Sequence, residues 1–338
     1  MSSDRGGIGS SSGCEGFSDV IDFRYHLVSI IAIFFALATG IILGAGPLDE
    51  QVDEALVDQI PQLRDENQQL RDQIVALETD LAFEESFVEG VAPPLVADRL
   101  TDRQVALVVL PGADEEQVAA VRSQLEGAGA AISATVTVAP TWSDADSEPA
   151  LDALAAELVT SGTTLPTEGS GYDRGAAVLA GALLRPGDEP SIDADRDQIT
   201  AVATGYEEAG VASIEAADGE DPQATLAVVV AGGVPEDDVE RRIGTWTSLV
   251  SALDAAGDGS VLGGPPASAG EGGIITVVRD NEDLAASVST VDSVDLNSGR
   301  VSVVFAVVEQ EQGGSGQYGR VGTTDGAVPV IEDEGNAS

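Results

Sequence analysis

One histidine, one cysteine and one methionine are the whole stock of soft or imidazole side chains in 338 residues. His26, Cys14 and Met1 all lie near the start of the chain. Nucleophilic catalysis of the Ser-His-Asp kind needs a base beside the nucleophile, so residues 27–338 cannot build one around histidine. Copper(I) selects thiolate and thioether ligands, and zinc and copper(II) favour imidazole. No cluster of any of these exists, so no metal ligands are assigned. A single cysteine also excludes a disulfide framework within the chain. Two glycine turns could receive a ligand. Gly169-Ser170-Gly171, before Asp173 and Arg174, could present an anion to a helix N-terminus, or be a plain turn. Ala231-Gly232-Gly233 follows the apolar run LAVVV, where α/β sheets receive ligands. Gly232 and Gly233 are therefore the candidate ligand turn, with an ordinary strand-to-helix turn as the alternative. No catalytic residue and no cofactor follow from the sequence, and a non-enzyme is expected.

Charge narrows the partners. There are 59 acidic residues against 15 basic ones, for a net charge of −44, and every basic residue is arginine. Residues 1–45 hold four acids and two arginines, or −2, which leaves −42 on the rest. That surface repels nucleic acid and anionic headgroups, so no nucleic-acid partner is expected. Carboxylate pairs are so frequent in such a chain that their spacing says nothing about general acid–base work.

The element that must position everything else is residues 27–45, LVSIIAIFFALATGIILGA, a charge-free run of 19 residues. As a helix it would be about 28 Å long, the thickness of a bilayer's hydrocarbon core. A transmembrane anchor is expected over residues 20–46, contacting membrane lipid. A Gly/Ser-rich cytoplasmic tail (1–19), expected to be disordered, precedes it. Arg24 lies just before the run, and the next basic residue is Arg64. The positive-inside bias then puts the N-terminus in the cytoplasm and the bulk of the chain outside. A cleaved signal peptide is the alternative; the long apolar core and the lack of a clean small-x-small site favour an uncleaved anchor. Ala32, Ala36, Gly40 and Gly44 recur every four residues, the stripe by which membrane helices approach closely.

A second pattern follows at residues 50–90. With Asn67, Ile74 and Leu81 at heptad position a, Leu63, Leu70 and Leu77 fall at d. That is a coiled-coil seam, with Asn67 setting register and Glu66 at g facing Arg71 at e of a second chain. Anchors in one membrane make parallel pairing, hence a homodimer, the expectation; an amphipathic helix packed on its own domain is the alternative. Ala92-Pro93-Pro94 is read as the end of this rod.

From residue 100 the pattern alternates. Strands are expected at 105–110, 132–138, 211–214, 226–230, 261–262 and 274–278. Helices are expected at 114–127, 149–159, 172–184, 195–208, 236–255 and 299–310. Continuous apolar strands between amphipathic helices predict an α/β fold, a Rossmann-like three-layer extracytoplasmic domain over 100–311. Residues 312–338 are read as a disordered tail.

Two stretches carry a family resemblance. IDFRYHLVS (residues 21–29) leads into the span; VSTVDSVD (288–295) is followed by Ser298-Gly299-Arg300 and GGSGQYG (313–319). Together with the order of span, rod and α/β domain they resemble the actinobacterial copper-transport protein B family, MctB, also called SteB. The resemblance implies an envelope protein linked to copper homeostasis as a channel or transport component. It also implies a complex with a SteA-like partner that governs envelope assembly and cell separation, the coiled coil acting on a peptidoglycan hydrolase. The residues favour the second role. One span encloses no lumen, the ten-residue alternating strands of a membrane barrel are missing, and soft copper ligands are missing too. The expected function is a dimeric, non-enzymatic envelope scaffold or regulator. Direct copper transport and a small-ligand module at Gly232-Gly233 are the alternatives.

Overall fold

Apolar residues at helical spacing, with no internal glycine until Gly40, carry α1 from Asp22 to Gly44. Its stretch Arg24–Gly44 is long and apolar enough to cross a membrane. The computed structural model describes residues 22–44, 48–159, 163–187, 193–217, 223–322 and 325–330. Residues 1–19, Cys14 and the Gly46-Pro47 break lie outside them. The chain divides into two compact units, Met1–Thr79 and Asp80–Ser338.

The first unit holds α1 and most of α2, a helix that runs from Leu48 to Val96. Ala32, Ala36, Gly40 and Gly44 are exposed along α1, and nothing lies within 4 Å of where a Cβ on Gly40 or Gly44 would sit. Along α2, Leu63, Asn67, Leu70, Ile74 and Leu77 are exposed, Leu77 by 68%. The Asn67 side-chain amide donates to the Leu63 carbonyl (3.2 Å).

The second unit begins inside α2, twenty residues before the expected domain start at 100. The reason is burial: Ala92 and Val96 are core residues and Val88 packs against them. Pro93 and Pro94 do not end the helix there. Each proline lacks a donor and crowds the carbonyl four residues back, yet the helix continues and the Ala97 N–H reaches the Pro93 carbonyl (3.0 Å).

Thereafter the elements alternate as β1 (Gln104–Val109), α3 (Glu115–Gly127), β2 (Ala131–Val138), α4 (Glu148–Leu158), α5 (Gly171–Leu183) and α6 (Asp193–Glu208). Then come β3 (Ala212–Ala216), β4 (Leu226–Val230), α7 (Val239–Ala256), β5 (Gly259–Gly263), α8 (Ile274–Asp280), α9 (Glu282–Ser287), β6 (Ser289–Val291), α10 (Asn297–Glu311) and β7 (Gln317–Tyr318). One seven-stranded sheet takes the order β3-β2-β1-β4-β5-β6-β7. Every pairing is parallel except β2 with β3. Alternation along the strands divides the core. Ala106, Val108, Val136 and Val229 face α4–α8, whereas Val105, Leu107, Val228 and Val261 face α3, α10 and the end of α2.

Two expectations fail here. Residues 274–278, read as a strand, are α8. Ile274, Ile275 and Val278 are all buried at helical spacing, so packing overrides the β-propensity of the run. The tail read from 312 onward is structured at its start: Gln317–Tyr318 pairs with β6 as the last strand. Its partner β6, its neighbour α9 and β7 itself were too short to stand out by periodicity.

Candidate functional site

The turn after β4 lies where the strand order reverses between β1 and β4. In a doubly wound sheet a ligand would sit in that crevice. Here backbone fills it. A Cβ on Gly232 would lie 2.1 Å from the Gly112 carbonyl oxygen, so Gly232 permits two loops to touch rather than opening a cradle. The Leu110 N–H donates to the Val230 carbonyl and the Ala231 N–H to Gly263, which lock these loops together. Gly233 packs against Ala267.

The anion position before α5 is satisfied from within. Ser170 Oγ and the Ser170 N–H donate to the Asp173 carboxylate at 2.8 and 2.6 Å, and the Asp173 N–H donates back to Ser170 Oγ. The Gly171 N–H donates to Glu148 (3.2 Å), and Arg174 pairs with Asp152 (2.5 Å). Burial pushes the Asp173 carboxyl up, but hydrogen bonds from Ser248 and Ser170 outweigh it, and the group titrates below its ordinary value.

The second family-like stretch, residues 288–319, by contrast, converges on itself. At the end of β6 the Asp292 side chain is fully buried against Arg279 of α8, itself 10% exposed, at 2.9 Å. Arg279 spends its remaining donors on Thr290 Oγ1 (2.8 Å), the Tyr318 carbonyl (2.8 Å) and the Val321 carbonyl. Asp292 in turn accepts from the backbone N–H groups of Arg320 and Val321. Gly319 is required between them: its φ is +129°, and a Cβ would sit 2.2 Å from Asp292 Oδ1. The C-terminal segment is thus strapped to the sheet by one buried ion pair.

The same loop reaches the helix that enters the domain. Arg320 pairs with Asp295 (2.6 Å), and Arg300 donates to the Val294 carbonyl (2.9 Å), the Asp295 carbonyl (3.1 Å) and Asn297 Oδ1 (2.9 Å). Leu296 occupies the cap position of α10 without a side-chain acceptor. Glu85 of α2 supplies it, accepting from the Asn297 N–H at 2.9 Å. The Asn297 side chain answers by donating to the Glu85 carbonyl (3.4 Å). Gly299 permits the tight turn, since a Cβ there would lie 1.9 Å from the Ser293 carbonyl oxygen.

Beside this knot the Tyr318 hydroxyl donates to both carboxylate oxygens of Glu309 (2.8 and 2.9 Å), and the Gln317 N–H donates to Asp325 (2.8 Å). Burial, with the nearby Asp325 charge, pushes the Glu309 carboxyl up despite the Tyr318 hydrogen bond. Burial and the Glu309 carboxylate push the Tyr318 phenol up as well.

The cluster is built to hold chain against chain. Among the described residues no group of three or more His, Cys, Asp or Glu is placed to take a metal ion. Arg279, Glu85 and Glu309 escaped the sequence reading. The one available signal was Asp292, a carboxylate directly after the β-branched pair Thr290-Val291 in the motif that carries the resemblance. A row of exposed apolar side chains lies elsewhere, on α2. Within the second unit Phe83 is 74% and Phe87 62% exposed, and Val91 and Leu95 continue that row every fourth residue.

A family model described as "Copper transport outer membrane protein, MctB" matches residues 20–329. The curated relative "Copper transporter MctB" of Mycobacterium tuberculosis is 30% identical over 313 residues, covering 92% of this chain and 99% of the relative. The protein of the same name from Mycobacterium leprae is 28% identical over 312 residues, covering 89% and 96%.

Proposed function

The chain belongs to the copper-transport outer membrane protein MctB family, and from that premise we propose that it works as a membrane-anchored, dimeric, non-enzymatic envelope scaffold or regulator. One observation carries this reading: α2 leaves Leu63, Leu70, Ile74 and Leu77 uncovered in a single chain. Apolar side chains in a heptad seam are covered when a second chain supplies the facing holes. The exposed small-residue face Ala32, Ala36, Gly40 and Gly44 of α1 offers a second pairing surface in the bilayer. In this reading α1 is an uncleaved anchor, with the acidic α/β unit on the outer side of the cytoplasmic membrane. That unit has the layered order of a Rossmann-like domain. A SteA-like protein and, through the rod, a peptidoglycan hydrolase are the partners, and the role is in envelope assembly and cell separation. Copper effects then arise indirectly, through envelope integrity.

Direct copper export is the second reading, and the relatives' printed name favours it. Against it stands the ligand chemistry, since residues 27–338 hold no Cys, His or Met. One experiment separates the two. A deletion strain is complemented with the full chain or with the Leu70→Asp/Leu77→Asp variant. Cell separation, copper accumulation and entry of a metal-free dye are then scored together. The scaffold reading expects unseparated cells with copper and dye changing in step. Altered copper with normal separation and normal dye entry would overturn it in favour of transport.

A further inference from the structure

The outer strand at the other end of the sheet is open. β3 is antiparallel to β2, with Ala212, Ile214 and Ala216 opposite Val138, Val136 and Ala134. The Ala139 N–H donates to the Val211 carbonyl (2.9 Å) and the Ala217 N–H to the Ser133 carbonyl (2.8 Å). Residues 211 and 217 therefore turn their polar groups inward. By the two-residue period so do Ser213 and Glu215. Ala212, Ile214 and Ala216 turn theirs outward, and among the described residues no other strand lies beyond them in the sheet. Such an edge is a template for another strand unless something blunts it. β3 contains no proline, and its one charged side chain, Glu215, stands on the exposed face rather than on the edge.

We infer that β3 pairs with β3 of a second copy, antiparallel about a two-fold axis through Ile214, joining two sheets into one. The register follows from the outward groups. Ile214 faces Ile214 of the second copy, and Ala212 faces Ala216. Each of these three pairs exchanges two backbone hydrogen bonds. On the other face Ser213 falls opposite Glu215, a hydroxyl donor against a carboxylate. This register avoids setting Glu215 against Glu215, which a one-residue slip would bring closer. The strand is thus complementary to itself in hydrogen bonding, in its apolar Ile214 contact and in its single charge. Opposing this are the exposed Glu207 and Glu208 at the end of α6, whose like charge makes the contact weak in dilute salt. The inference does not depend on pairing of the α2 rods.

The test uses the full chain in membranes, in a Cys14→Ser background, with two differently tagged copies co-expressed. One carries Ser213→Cys and the other Glu215→Cys; both positions are exposed, so the core is untouched. Oxidation should give the 213–215 disulfide at about fivefold or higher yield than 213–213 or 215–215, because only the first is a directly opposed, closely spaced pair. The yield should rise as salt goes from about 0.01 M to about 0.1 M, where the screening length falls from about 30 to about 10 Å. Ala216→Pro, which removes an outward N–H at an exposed position, should abolish the cross-link without moving the thermal midpoint by more than a few degrees. Absence of the 213–215 cross-link, or equal yields for all three pairs, would overturn the inference. A cross-link at Leu70 in the same membranes would meanwhile leave the rod reading standing.

Discussion

At the scale of single residues the molecule turns on Asp292. It is a carboxylate without solvent, held by Arg279 and two backbone donors, and it fixes the C-terminal segment to β6. Truncating one partner of a buried pair strands the other charge. Asp292→Ala should therefore cost about 3–5 kcal/mol in chemical denaturation, with Arg279→Ala similar. Replacing both with apolar residues of like size should cost much less. Two carboxyls give opposite pH signatures. Burial raises Glu309 above its unfolded value, so its contribution favours the folded state at low pH and is lost as pH rises through the folded pKa. Glu309→Gln should gain thermal stability relative to the parent as pH climbs from about 4 to about 7. Asp173 is depressed, so its contribution is present at neutral pH and lost as pH falls. Ser170→Ala should flatten that acid limb. The Ser170–Asp173 spacing is a capping-box signature readable in the sequence, whereas the partners of Asp292 and Glu309 were not legible beforehand. Arg279 directly follows a run read as β-strand, and Glu309 reads as one more surface acid in a chain with 59.

At the scale of elements the sequence was informative wherever an element is long or strongly periodic. β1, β2, β4, α3, α5 and α10 fall within a few residues of the expected spans. The misses share a cause, since each depends on contacts remote in sequence. α8 is a β-branched run made helical by burial. β6 and β7 are held by the Arg279 knot. α2 runs past Pro93 and Pro94 because Ala92 and Val96 are core residues. Glu85 is the contact on α2 to probe. It caps α10 from another helix, so Glu85→Ala should lower stability by about 0.5–2 kcal/mol, and Asn297→Ala in the same chain should add little more. Amide exchange at the first turn of α10 should quicken in both. Gly299→Ala should destabilise more than either, because its Cβ has no room against Ser293.

At the scale of the whole molecule the folded unit ties most of its buried charge into the Asp292–Arg279 knot and leaves a row of apolar side chains exposed on the end of α2. Gly232, in the candidate ligand turn, brings its backbone against that of Gly112. The second family-like stretch, residues 288–319, ties the strap, the sheet and the end of α2 together. What lies uncovered is α1, the α2 seam and the Phe83–Phe87 row, surfaces suited to other helices and to lipid. The direct measurement is cysteine cross-linking in native membranes of a full chain carrying Leu70→Cys in the Cys14→Ser background. A parallel, in-register pair at a d position brings the two sulfurs together, so most of the chain should run as a covalent dimer after mild oxidation, and Gln69→Cys on the outer face should give none. A monomer from Leu70→Cys, or equal dimer from both positions, would contradict the account.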